Sequence, residues 1–166
     1  MNSIRKFMAI GSVVAAAALA LVGAPAAQAE AAPWCTGSDL LISTYDVHPK
    51  GGGIKRHAIA FVAREGTSCR IGGTPTNVRF YDNRGVDLNI PLTTGHGDHV
   101  EVTVNGGWFG PVAYVSSWEK GSGVRPSFVE FDLPGENGSR GDRIVTGWPS
   151  SLGVGVQINN IGWPAS

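Results

Sequence analysis

The chain carries none of the short motifs that announce common enzyme classes. It has no His-Glu-x-x-His, no Gly-x-Ser-x-Gly elbow, and no Gly-Lys-Ser/Thr after any glycine cluster. The usual signatures of zinc proteases, α/β-hydrolases and phosphate-binding loops are thereby removed. Charge is scarce, with Asp, Glu, Lys and Arg making up 16% of residues. The basic residues form no stripe, so nucleic acid and anionic membrane surfaces have no electrostatic footprint to meet. There are only two cysteines, without Cys-x-x-Cys spacing, which speaks against a redox or metal-binding thiol pair. The two methionines, Met1 and Met8, both fall in the leader described next, so the mature chain has no thioether for copper(I).

One uncharged run is present, and it is short. Arg5 and Lys6 precede Phe7–Val22, which is rich in Ala, Val and Leu; Gly23-Ala24-Pro25 and Ala27-Gln28-Ala29 follow. A basic start, an apolar middle and a small-x-small end are the three parts of a secretory signal peptide. The run falls short of the ~20 residues a membrane-spanning helix needs. The expectation is cleavage after Ala29, a secreted or extracellular product, and no membrane span in the mature form. Trp34 before Cys35 is too bulky for lipoprotein processing, and Arg5-Lys6 is not a twin-arginine pair. Residues 30–166 are then one domain, with 11 basic against 13 acidic residues.

In an oxidising compartment Cys35 and Cys69 are expected to form a structural disulfide. At a separation of 34 residues such a crosslink is worth roughly 3–4 kcal/mol through lost chain entropy in the unfolded state.

Glycine is plentiful, at 24 residues, and turn signals recur between short runs of period-two alternation. Val100, Val102 and Val104 alternate with Glu101 and Thr103; Val129, Phe131 and Leu133 with Glu130 and Asp132; Val154, Val156 and Ile158 with Gly155, Gln157 and Asn159. Each pattern describes a strand with one buried and one wet face. Further strands are expected at 40–47, 56–63, 76–81, 86–90 and 111–118, with Asp82-Asn83-Arg84-Gly85 as a hairpin connection. No helical period follows residue 30. Seven or eight short antiparallel strands at this spacing predict an all-β, two-sheet immunoglobulin-like β-sandwich, with a closed barrel as the rival. The disulfide would tie the segment before the first strand to the loop after the second.

Thr67-Ser68-Cys69-Arg70-Ile71-Gly72-Gly73-Thr74-Pro75, running on into Val78-Arg79-Phe80-Tyr81-Asp82 and Gly85, resembles part of a secreted actinobacterial family, the domain of unknown function 4232. In that family a Cys just inside the mature start is followed by a strand ending in Cys, a hydrophobic residue, Gly and Pro. Cys35, Cys69, Ile71, Gly72 or Gly73, and Pro75 fill these positions. The second Cys pair that members often carry in the C-terminal half is missing. The resemblance implies a secreted or envelope-attached β-sandwich and brings no catalytic residues with it.

The best metal candidate is His96-Gly97-Asp98-His99, with His48 or His57 as a further ligand. The competing and preferred reading is a polar turn into the Val100 strand, so no metal, cofactor or catalytic residue is assigned. Asn137-Gly138-Ser139 matches a glycosylation acceptor but reads as a turn, with flexibility expected between Pro134 and Arg143. The five tryptophans stand out more. Trp34, Trp108, Trp148 and Trp163 each sit beside Gly or Pro, whereas Trp118 belongs to a strand and reads as core. Trp108, Phe109, Trp148 and Trp163 form the candidate binding surface, because loop aromatics stack on sugar rings or anchor protein partners. The expected function is a non-catalytic extracellular or cell-envelope binding module for a protein or cell-wall glycan. The alternative is a small secreted hydrolase or hydrolase inhibitor.

Overall fold

The computed structural model describes residues 31–48, 52–95, 99–120 and 123–164. The signal peptide assigned to residues 1–29 therefore lies outside the described residues. Residues Ala31–Ser166 group as one compact unit, and it is built on strands.

Ten strands are formed: β1 (Leu40–Val47), β2 (Ile54–Ala63), β3 (Ser68–Gly72), β4 (Thr76–Tyr81), β5 (Leu92–Thr94), β6 (Glu101–Asn105), β7 (Val112–Trp118), β8 (Phe128–Pro134), β9 (Arg140–Gly147) and β10 (Val154–Ile158). They form three ladders: a five-stranded sheet β1-β2-β7-β10-β5, a pair β3-β6, and a three-stranded sheet β4-β8-β9. The described residues contain no α-helix, and none of their helices is long and apolar enough to cross a membrane.

Alternation explains how the ladders meet. On β2 the inward set is His57, Ile59, Phe61 and Ala63, all buried. Their cross-strand partners follow the pleat: Asp46, Thr44, Ile42 and Leu40 on β1, then Val115 and Ala113 on β7. β3 and β6 supply Cys69, Ile71, Val102 and Val104 to the same core; β4 and β8 supply Phe80, Val129, Phe131 and Leu133. Phe61 and Phe131 meet edge to face at 6.2 Å. Each fully buried ring contributes about 1.5–3 kcal/mol of transfer free energy.

The Cys35–Cys69 disulfide is present, with both residues buried. Its second anchor is a strand, β3, and not the loop expected from sequence. The backbone reinforces the link: Cys35 donates its N–H to the Arg70 carbonyl at 2.8 Å, and Arg70 donates to Pro33 at 2.7 Å.

Other expectations are corrected. Among the described residues strands number ten and not seven or eight, and β5 pairs with β10 in parallel, so the sheets are not purely antiparallel. Residues 86–90 form no strand beyond a single Tyr81–Asp87 bridge. Asp82 accepts backbone N–H groups from Arg84 and Val86, which folds that segment into a turn. Residues 134–143, read as flexible, close a tight turn from β8 into β9. The turn places Asn137 at φ 56° and returns Gly135 N–H to the Ser139 carbonyl at 2.8 Å.

Candidate functional site

The connection from β6 to β7 presents Trp108 and Phe109, which are 94% and 87% exposed. Burial is denied to them because the loop is pinned at both ends. A Cβ at Gly106 would come within 2.8 Å of the Arg64 carbonyl oxygen, and one at Gly110 within 1.9 Å of the Phe61 carbonyl oxygen. The backbone therefore approaches the β2–β3 turn and β2 more closely than any side chain permits. Gly106 also donates to the Thr67 carbonyl at 2.9 Å, and Phe61 donates to Pro111 at 3.0 Å. The two aromatics between these clamps project from the surface as a convex tip.

The structure divides the remaining candidates. Trp163 is 54% exposed. Gly162 and Val112 exchange backbone hydrogen bonds at 2.8 and 3.0 Å, so Trp163 leaves the sheet at the level of Pro111, the same end as the tip. Trp148 does not belong with them: it is 7% exposed and sits in the core. Its indole meets Phe80 edge-on at 4.9 Å and the His57 ring at 4.8 Å. The Gly147-Trp148-Pro149 context misled the sequence reading, because these residues end a strand whose partner β8 faces inward. Trp118 was missed in the opposite sense. It lies on a strand, as expected, but at its end, 58% exposed. The available signal was parity: Ala113, Val115 and Ser117 point inward, so position 118 points out.

One polar cluster deserves a catalytic test. Asp46 Oδ1 accepts hydrogen bonds from His57 Nδ1 at 2.8 Å and from Ser150 Oγ at 2.9 Å, and Lys55 Nζ donates to Ser151 Oγ at 2.6 Å. A serine relay needs the imidazole between hydroxyl and carboxylate. Here the carboxylate is in the middle. His57 is 2% exposed, and its ring lies against Trp148. Burial lowers the His57 pKa, opposed by the hydrogen bond and charge of Asp46. Burial also pushes the Asp46 carboxyl upward, but hydrogen bonds from Ser150 and His57 outweigh it and hold the pKa below the ordinary range. The lowered pKa values favour an uncharged imidazole beside an ionised carboxylate. Asp46, His57, Lys55 and Ser150 together line a cavity of about 270 Å³, and His57 Nε2 is buried without a hydrogen-bond partner.

His99 is exposed, 3.7 Å from Glu101; His96 and Asp98 lie outside the described residues. The described residues contain no cluster of three or more His, Cys, Asp or Glu suited to a metal, and His57 Nδ1 is committed to Asp46.

Compared with family models, curated proteins and solved structures, the chain finds no match.

Proposed function

We propose that this is a non-catalytic binding module of the extracellular or cell-envelope space, and that its Trp108–Phe109 tip anchors a protein partner bearing an apolar cleft. The observation that carries the reading is the near-complete exposure of two adjacent aromatic side chains on a clamped loop. Isolated exposed apolar residues are ordinary, but a rigid aromatic pair is the composition of an interface hot spot. The backbone ordering cost of the loop on binding is small, because its base is already fixed. The convex shape favours a protein cleft over a glycan, which would be held by a concave surface.

A narrower form of the same reading is a hydrolase inhibitor that presents the tip to an enzyme cleft, and the rigid base supports it. The compartment is supported by the disulfide, which belongs to oxidising environments, and by the leader-like residues 1–29. The frame is read as an immunoglobulin-like sandwich, the five-stranded sheet forming one layer and the two smaller ladders the other. Kinship with the domain of unknown function 4232 is supported by Cys35 together with the residues from Thr67 to Pro75 and on into residues 78–85.

The test is photo-crosslinking in the native envelope from a benzoylphenylalanine at position 108, with position 83 in the Asp82–Gly85 turn as control. The expected result is a discrete adduct from 108 only, lost on Phe109→Ala and competed by unlabelled protein. Equal labelling from both positions would remove the tip as an anchor. Intact mass of the exported protein, expected to begin at Glu30, tests the compartment separately.

A further inference from the structure

We infer that the open face of the five-stranded sheet is a second ligand site, one that takes a saccharide carrying a carboxylate group.

The face is defined by register. Directly opposed outward residues form rows across the strands: Tyr45–Ala58–Tyr114, then Arg56–Ser116–Gln157, then Ile54–Trp118–Val154. In the first row Ala58 is covered, packed with Tyr114; in the second row Ser116 leaves a low floor, with Trp118 beside it along β7. A cavity of about 200 Å³ opens there, lined by Arg56, Ser116, Trp118, Gln157 and Asn159 among others.

Trp118 is held in place. The register of β10 against β7 shifts between Val154 and Gln157, and Gly155 within that bulge has φ +63°. A Cβ at position 155 would lie 3.3 Å from Trp118 Cδ1. A side-chain-free residue in the left-handed region is what lets the pyrrole edge of the indole rest on the backbone. The indole is thus fixed while remaining 58% exposed.

Arg56 supplies the charge argument. Arg70, Arg79, Arg84, Arg140 and Arg143 each pair with a carboxylate. Arg56, like Arg64 and Arg125, makes no ion pair among the described residues; what distinguishes it is its setting. Its guanidinium lies over the Tyr114 ring at 5.4 Å, and its Nε is buried with no hydrogen-bond partner. Asp46 and Glu119 line the neighbouring cavity of about 270 Å³, which shares Arg56 as a wall, yet neither comes within ion-pair distance of it. A stacked, pre-oriented guanidinium without a protein anion is arranged for a planar anion from outside.

The other groups choose the carrier of that anion. Strands β2 and β7 are paired on both sides and β10 lies between β7 and β5, so no free backbone edge is offered here to an extended peptide. Recognition must run through side chains. Ser116, Gln157 and Asn159 provide hydroxyl and amide groups that both donate and accept, which suits vicinal sugar hydroxyls. An indole face beside them suits the C–H face of a pyranose ring. The site is independent of the tip, because Trp118 and Val112 stand at opposite ends of β7, about 20 Å apart.

The experiment is calorimetric and fluorescence titration of the full chain with N-acetylmuramic acid, N-acetylneuraminic acid and oligogalacturonate, each beside its carboxyl methyl ester. At least one acid should bind and shift tryptophan emission, with its ester about tenfold weaker or worse. Arg56→Met should lose about tenfold, Arg56→Lys should retain part of the affinity, and Trp118→Ala should lose both binding and the emission shift. Ser116→Tyr, which fills the floor while keeping both Arg56 and Trp118 in the chain, should block binding in a protein that melts like the wild type. The Trp108→Ala/Phe109→Ala protein should bind the acid unchanged, which separates this site from the tip. Absence of binding by every acid, equal affinity for acid and ester, or unaltered affinity in Arg56→Met would overturn the proposal.

Discussion

His57 donates Nδ1–H to Asp46 Oδ1 across 2.8 Å, from directly opposed positions on β2 and β1. The imidazole is buried and its pKa is lowered, chiefly by that burial. Below the unfolded-state value of about 6.5 the unfolded chain takes up a proton that the folded chain resists. Stability therefore rises with pH across that window. It is complete above about 6.5 and is lost as pH falls toward the lowered folded value. The melting temperature should drop between pH 7 and pH 5, and His57→Gln should flatten that limb. An unchanged profile in the variant would detach the titration from this pair.

The two tryptophans that the sequence grouped together should part company on mutation. Trp148 packs against Phe80 and His57 in the core, so Trp148→Ala should cost about 3–5 kcal/mol. Trp108→Ala with Phe109→Ala should change stability by no more than about 0.5 kcal/mol, because nothing in the fold leans on them. Urea denaturation of the three proteins measures both. A costly tip variant would mean that the aromatics stabilise the fold and are not held in reserve for a partner.

Asp132 gives a second acid-sensitive element. It is 1% exposed, accepts from Asn77 at 2.6 Å, and pairs with Arg140 at 2.8 Å and Arg143 at 3.0 Å. The Asn77 hydrogen bond is the largest cause of its lowered pKa; burial opposes it, and the two arginines add to the lowering. Its contribution is present above the unfolded carboxylate value of about 3.9 and fades as pH falls through the lowered folded value. Asp132→Asn should cost about 2 kcal/mol near neutral pH and remove that acid limb. Circular dichroism melts from pH 5 down to pH 2 would show it, well separated from the His57 window.

How much of this was legible beforehand differs by feature. Strands 40–47 and 76–81 were readable because hydrophobic parity matches a half-buried ladder; in β10 the expected parity holds for Val156 and Ile158 only, because the bulge at Gly155 leaves Val154 exposed on the other face. β3 was hidden because its alternation of Ser68 and Arg70 with Cys69 and Ile71 runs for only five residues and ends in Gly72-Gly73, and β9 because Arg140, Asp142 and Arg143 resemble a loop. β9 is an outer strand whose arginines serve Asp132, a partner 8 to 11 residues away in sequence that no local pattern reveals. The exposed tip was found from its flanking glycines. The face around Arg56 was not, since its members come from β2, β7 and β10, and only the register brings them together.

The disulfide should be silent to thiol reagents in the folded state and costly to lose. Both cysteines are buried, and reduction or the Cys35→Ser/Cys69→Ser variant should remove roughly 3–4 kcal/mol, the unfolded-chain entropy associated with a separation of 34 positions. The comparison is a urea midpoint with and without reductant. A shift below 1 kcal/mol would mean that the Cys35–Arg70 and Arg70–Pro33 backbone bonds already fix the segment, even in the unfolded ensemble.

The clamp beneath the tip can be tested by adding single methyl groups. Gly110 stands where a Cβ would meet the Phe61 carbonyl oxygen and carbon at 1.9 and 2.7 Å. Its backbone is not in the left-handed region, since it is absent from the positive-φ residues, so the constraint is close approach alone. Gly110→Ala must push the start of β7 away from β2 and weaken the bond from Phe61 N–H to Pro111. An overpacked contact of this kind costs about 1–3 kcal/mol, and a rigid backbone partner places it toward the upper end. Gly107→Ala meets only the Asn105 carbonyl oxygen, at 3.7 Å, and should be neutral in stability and in crosslinking from position 108. If Gly110→Ala were equally harmless, the loop base would be loose, and the low ordering cost that makes the aromatic pair an effective anchor would be gone.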